Sequence, residues 1–414
     1  MRRLSSSASI LASFPEWGEG LAHCSAGRHA AAIAPLQRLI EVCDSVMGAD
    51  SPAAALALRR VLAARAASGA SSTAPSAEAL ERMGTSAHAS EFDVARVARC
   101  ALRRGMLDVA SQCGARLQRH GAARSERVGA AAAGAGCVAA VLTLRARVAR
   151  AANDGAGADA LGARARATLD EALGALDFGG GGAAAAEAPL LLLMGAASDN
   201  GEAAVESWAR VVAILDAVPS AAPLPLPQQL QIAAWRSDAL CNIGAASLAS
   251  DVLPLDETGA SSIERALKEA RDVDEARRGR AIAMMAAMLH REEKAVSAEG
   301  LFRSGIDELR SAVEASSGGA LDLTPRLALS SALRNYAALL AEWDKRDGDA
   351  AVALHDADAA DALTIDALAL RGDDDEHALL RVAPLGMGAE VIVWGREEEE
   401  DCADGDNAAP PAEL

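Results

Sequence analysis

The sequence predicts an all-α protein built as a stack of helical hairpins, and three observations carry the prediction. Apolar residues recur at helical spacing through most of the 414 residues, with strand-like alternation only beyond residue 378. The stretches 228–271, 276–315 and 325–371 each hold two such helices, giving units of about 45 residues, a length typical of helical repeats. Finally, 51% of the chain is apolar, yet it contains only five Trp, one Tyr and four Phe. Its helices must therefore pack through Ala, Leu and Val, which lets their axes come close together. A lone hairpin cannot bury its apolar stripe, so several must stack into a solenoid.

The elements follow in order. Residues 1–14 contain Arg2, Arg3 and five serines, with no acid before Glu16, and Leu4, Ala8, Leu11 and Phe14 fall near one helical face. This reads either as an organelle presequence or as an ordinary disordered terminus. It points to the mitochondrion ahead of the plastid, with the cytoplasm as the alternative. Residues 15–218 form an irregular helical-repeat region. Its first pair spans about 15–47, breaks at Ala26-Gly27-Arg28 and closes at Gly48, and a third helix runs from Pro52 to Ala67. Ser68 to Pro75 is linker-like, and helices then resume to Phe178, where Gly179 to Gly182 break the path. The proline-rich linker 219–227 divides this region from the regular repeats at 228–371, because four prolines in nine positions do not sit inside a helix. Residues 378–395 read as a small C-terminal β-hairpin, and 396–414 as a disordered acidic tail.

The net charge of −18 is unevenly distributed. Between Glu91 and Arg166 thirteen arginines face six acids, which makes this block basic within an acidic chain. Such a block contacts a polyanion or pairs with its own acidic neighbours. The second is favoured, since Phe92 is the block's only aromatic residue and stacking on bases needs more. No apolar run has the length of a membrane span. The seven cysteines show no CxxC pairing and no dense disulfide spacing, so most read as small apolar residues in a reducing compartment.

The regular region resembles the tetratricopeptide repeat family, in an irregular long-repeat form. That family places apolar or small residues at the fourth, seventh, eighth and eleventh positions of the first helix. Leu240, Ile243 and Gly244 occupy these positions in one pair, Ile282, Met285, Ala286 and Leu289 in the next, and Leu333, Tyr336, Ala337 and Leu340 in the third. Second-helix triads follow as Ile263/Leu267/Ala270, Ala298/Phe302/Gly305 and Ala350/Leu354/Ala357. Upstream counterparts are Ala32/Leu36/Leu39 and Ala204/Trp208/Val211. The repeat spacing is longer than the family's usual one, and the closing proline is mostly missing. The resemblance implies a right-handed α-solenoid that binds a protein or peptide as a non-catalytic scaffold. Clamps of that family implicate the polar positions beside the packing set, here Asp238, Asn242, Arg278, Arg334 and Asn335.

A second, shorter resemblance lies at Arg103-Arg104-Gly105-Met106-Leu107-Asp108-Val109-Ala110, which is similar to the centre of a pentatricopeptide repeat, a family that binds single-stranded RNA in organelles. It implies RNA as an alternative partner, with Arg103, Arg104, Arg116 and Arg119 as the polyanion contacts. The single copy and the net acidity disfavour it. No catalytic, cofactor or metal-binding residues are assigned. Gly134-Ala135-Gly136 lacks the preceding strand of a dinucleotide fold, and the histidines are dispersed. Oligomeric state is not legible from the sequence.

Overall fold

The computed structural model describes residues 2–68, 77–122, 128–151, 154–177, 183–198, 201–218, 226–248, 257–316, 323–343 and 345–368. Among them it has seventeen α-helices and no strand. The first four are α1 (Arg2–Leu11), α2 (Pro15–Ser25), α3 (His29–Met47) and α4 (Pro52–Ser68). They are followed by α5 (Ala77–Thr85), α6 (Glu91–Arg103), α7 (Leu107–Ala122), α8 (Val128–Ala151), α9 (Gly155–Asp177), α10 (Ala183–Ala197) and α11 (Gly201–Asp216). The C-terminal set is α12 (Leu226–Leu248), α13 (Glu257–Ala270), α14 (Glu275–Arg291), α15 (Ala295–Ser316), α16 (Leu323–Ala341) and α17 (Asp347–Leu368). The expected hairpins at 228–271, 276–315 and 325–371 therefore correspond to α12/α13, α14/α15 and α16/α17.

Local chemistry sets several of the boundaries. Ser90 and Asp93 form a reciprocal capping box at the start of α6. Asp274 caps α14 by accepting from the Arg277 backbone N–H at 2.7 Å. Gly105, at φ +70°, turns the chain sharply from α6 into α7. Pro227 of the expected linker lies inside α12, at its second position, where the missing N–H breaks no helical hydrogen bond. The rest of that linker, up to Pro225, lies outside the described residues, as do the predicted hairpin at 378–395 and the acidic tail at 396–414. The stretch 1–14 contains α1, and Leu11 is fully buried beside Trp17 and Leu36, so these residues contribute to the core.

From α2 onward every helix packs against the next one in sequence. In addition, α6 touches α8, α8 touches α10, and the succession continues through α12, α14 and α16. The even-numbered helices from α6 to α16 thus form a continuous inner row, and burial agrees with this. Residues 139–144 of α8 and 325–333 of α16 are buried consecutively, as expected of helices covered on all sides. By contrast, α11 buries only Ala204, Trp208, Val211 and Leu215, one stripe at helical spacing. The apolar core divides into clusters spanning α1–α4, α4–α10, α10–α12, α12–α14 and α14–α17, each sharing a helix with its neighbour. This is the stacking logic of a repeat protein. Leu327 of α16 departs from it by belonging to the α4–α10 cluster, a link of one side chain between the last hairpin and the N-terminal half.

Within the hairpins, glycines admit the partner helix. An added Cβ on Gly244 would stand 2.4 Å from Ile263, and one on Gly195 2.3 Å from the Trp208 indole. Four of the second-helix triads are buried or partly buried throughout. The fifth is split, with Ala350 and Ala357 buried but Leu354 43% exposed.

Candidate functional site

Gln231, Trp235, Asp238 and Asn242 recur at three- and four-residue steps and share one face of α12. Trp235 packs toward α10 and α11, while Asp238 and Asn242 meet α14, and there the chain buries charge. Asp238 Oδ2 accepts from Arg277 Nε at 3.2 Å and Nη2 at 3.1 Å, while Arg280 Nη1 reaches Oδ1 at 3.5 Å. Arg280 Nη2 also donates to Asn242 Oδ1 at 2.7 Å. Exposure is 1% for Asp238, 0% for Asn242, 5% for Arg277 and 3% for Arg280, so these groups are shut off from solvent. Arg277 is further held by the α14 capping residue, Asp274. Burial pushes the Asp238 carboxyl above its ordinary value, with the two guanidiniums acting against that shift. The carboxylate flanked by two arginines links α12 to α14, and removing one partner strands a buried charge, which is expensive.

The remaining residues singled out as partner contacts lie elsewhere. Arg278 on α14 pairs with Glu308 of α15, and Arg334 on α16 pairs with Asp358 of α17 at 2.9 Å. Both arginines are about a third exposed. Asn335 is 8% exposed. Together with Arg236 of α12, which reaches Glu269 of α13 at 3.1 Å, Arg278 and Arg334 form a repeated clasp from first helix to second helix within each C-terminal hairpin. The structure therefore unites Asp238 and Asn242 in one buried cluster and places Arg278 and Arg334 in separate ion pairs, each within its own hairpin. Sequence reading overlooked Arg236, Arg277 and Arg280. The available signal was Arg277 and Arg280, two charges three residues apart where α14 turns from its charged first turns to its apolar middle.

In the arginine-rich block, Arg116 donates to the carbonyls of Gly84 at 2.9 Å and Ala89 at 3.1 Å, tying the α5–α6 turn to α7. Arg145 pairs with Asp108 at 2.6 Å, and Arg166 donates to the Ala197 carbonyl at 2.7 Å. Arg119 is exposed and, among the described residues, bonds only to the Ala115 carbonyl of its own helix. Arg104 is half-buried and engaged, while the Arg103 side chain lies outside the described residues. Among the described residues no helix is long and apolar enough to cross a membrane.

No protein-family model, curated protein or solved structure matches the chain.

Proposed function

We propose that the protein is a non-catalytic scaffold, a right-handed stack of tetratricopeptide-like hairpins that holds a protein or peptide partner during complex assembly. The observation that carries this reading is the unbroken inner row α6–α8–α10–α12–α14–α16, with the outer helices packed between its members. Such an array presents a long, chemically varied surface and devotes its interior to stacking. With Asp238 and Asn242 committed to the buried cluster, the partner-contacting groups are the clasp arginines Arg278 and Arg334. A partner carboxylate reaches them by competing with Glu308 and Asp358, at partly exposed positions where the existing pairs contribute little.

Affinity capture from cells tests this, comparing wild type with Arg278→Ala/Arg334→Ala after thermal melts show that both are folded. Loss of a specific partner from the variant is expected, and equal recovery from both would sink the assignment. Proximity labelling adds the compartment.

A further inference from the structure

The second-helix triads place one large apolar residue at the same step of five hairpins, and four of the five are covered. Leu36 and Phe302 are completely buried, Trp208 is 1% exposed, and Leu267 is partly buried against the α12–α14 core. In each case the next helix packs on the one that carries the residue: α4 on α3, α12 on α11, α14 on α13 and α16 on α15. Leu354 holds this place on α17 and is 43% exposed, and no described helix follows α17.

Helical register defines the face left open. At about 100° per residue, Asp347, Ala351, Leu354 and Asp358 fall within about 60° of one another, and all four are exposed. The face is a short apolar strip between two carboxylates, of which Asp358 pairs with Arg334 yet keeps 68% of its side chain exposed. Val352 is exposed too, but it points about 160° away from Leu354 and lies off the strip. Altogether α17 holds six aspartates and no Lys or Arg.

An occupant of this strip needs an apolar side chain and positive charge. Residues 369–414 are poorly suited, since they carry thirteen acids against three arginines and have the same sign as α17. The other end of the array has the required chemistry. In α1, Arg2 and Arg3 stand without a single acid, and Ile10 is 45% exposed although its neighbour Leu11 is completely buried. We propose that α17 of one copy receives α1 of a second copy, so that the protein stacks head to tail in solution. Ile10 meets Leu354 and Ala351, and the basic start of α1 lies toward the aspartates. The ends of repeat arrays are normally closed by polar faces, and Ile10 and Leu354 break that pattern at opposite ends. Because the contact joins two different surfaces, each added copy keeps one end free and the stack can grow. Growth repeats the scaffold's binding surface along one assembly, which raises avidity without new contacts to the partner. This inference goes beyond the scaffold reading and fails separately from it, since it is measured on purified protein alone with Arg278 and Arg334 intact.

The test is sedimentation velocity on the full chain over a concentration series. Wild type is expected to pass reversibly from monomer to dimer and longer species as concentration rises, and to return toward monomer at high salt. Leu354→Glu and Ile10→Glu each remove one half of the contact and should weaken association about tenfold or more, with thermal melts showing that both are folded. Val352→Glu, off the strip, should associate like wild type. An equimolar mixture of Leu354→Glu and Ile10→Glu decides the geometry, because each retains the half that the other lacks: it should form dimers and stop there. The proposal is overturned if wild type stays monomeric, if either single variant associates normally, if Val352→Glu fails as they do, or if the mixture stays monomeric. A melting temperature lowered only by Leu354→Glu, in protein dilute enough to be monomeric, also overturns it, since residues 369–414 of the same chain would then be covering the strip.

Discussion

Gly279 and Gly305 face each other across the α14/α15 hairpin, each lying where a Cβ would stand 2.9 Å from the other's carbonyl oxygen. The two helices meet backbone to backbone there. Gly305→Ala must displace main chain, including the Ala283 nitrogen at 3.0 Å, and is expected to destabilise by about 1–2 kcal/mol. Gly300→Ala, on the same helix, points into open space and should stabilise by about 0.5–1 kcal/mol through helix propensity alone. Urea melts of the pair check the opposite signs, and a shared sign would refute the close-approach reading.

Asp238 binds Arg277 and Arg280 in the dry interface between α12 and α14. Asp238→Asn keeps the shape but removes the counter-charge, so a loss on the order of 3–5 kcal/mol is expected, enough to unfold a marginal chain. Replacing Asp238, Arg277 and Arg280 together by apolar residues of similar volume should recover much of that loss. Chemical denaturation of both variants decides whether charge balance or side-chain bulk matters.

Burial pushes the Cys113 thiol up to about 11 and the Cys137 thiol to about 12, from an ordinary value of 9.0. In the unfolded chain both ionise near that ordinary value, whereas in the folded protein they stay neutral. Their contribution is therefore complete below pH 9.0 and is lost as pH rises through the folded values, at about 1.4 kcal/mol per pH unit for each thiol. Melts between neutral and alkaline pH should show a decline that is shallower in Cys113→Ala/Cys137→Ala. Maleimide labelling at neutral pH should modify the partly exposed Cys24 and Cys100 well before Cys113 and Cys137.

Arg116 and Arg119, three residues apart on α7, differ sharply in role. Arg116→Ala strips two carbonyls of their donor and should cost about 1–3 kcal/mol, whereas Arg119→Ala should fall within about 0.5 kcal/mol of wild type. Filter binding of single-stranded RNA across a salt series should be insensitive to both substitutions. A selective loss with Arg119→Ala would revive the polyanion reading of the block.

The hairpins were legible because their signal is local. Periodicity at 228–371 located all three C-terminal pairs, and the triads Ile263/Leu267/Ala270 and Ala298/Phe302/Gly305 marked residues that are buried or partly so. Two features escaped for one physical reason. Asp238 and Asn242 read as exposed because polar residues usually are, but partners about 40 residues away, on the next hairpin, make their burial tolerable. Leu354 read as core because its triad matches, yet no further described hairpin stacks beyond α17 to cover it. Spacing within a helix carries no information about either event.

Leu327 has one consequence for handling the protein. The rest of its cluster lies no closer in sequence than Ala197, so this contact forms only when the last hairpin meets the N-terminal helices. Ordinary repeat arrays tolerate trimming from one end, and each shortened piece stays folded. Here an expression fragment ending before α16 would leave a hole in the wall of the N-terminal half. The proline-rich stretch, the obvious place to cut, would part Leu327 from that cluster and bare one apolar contact on each piece.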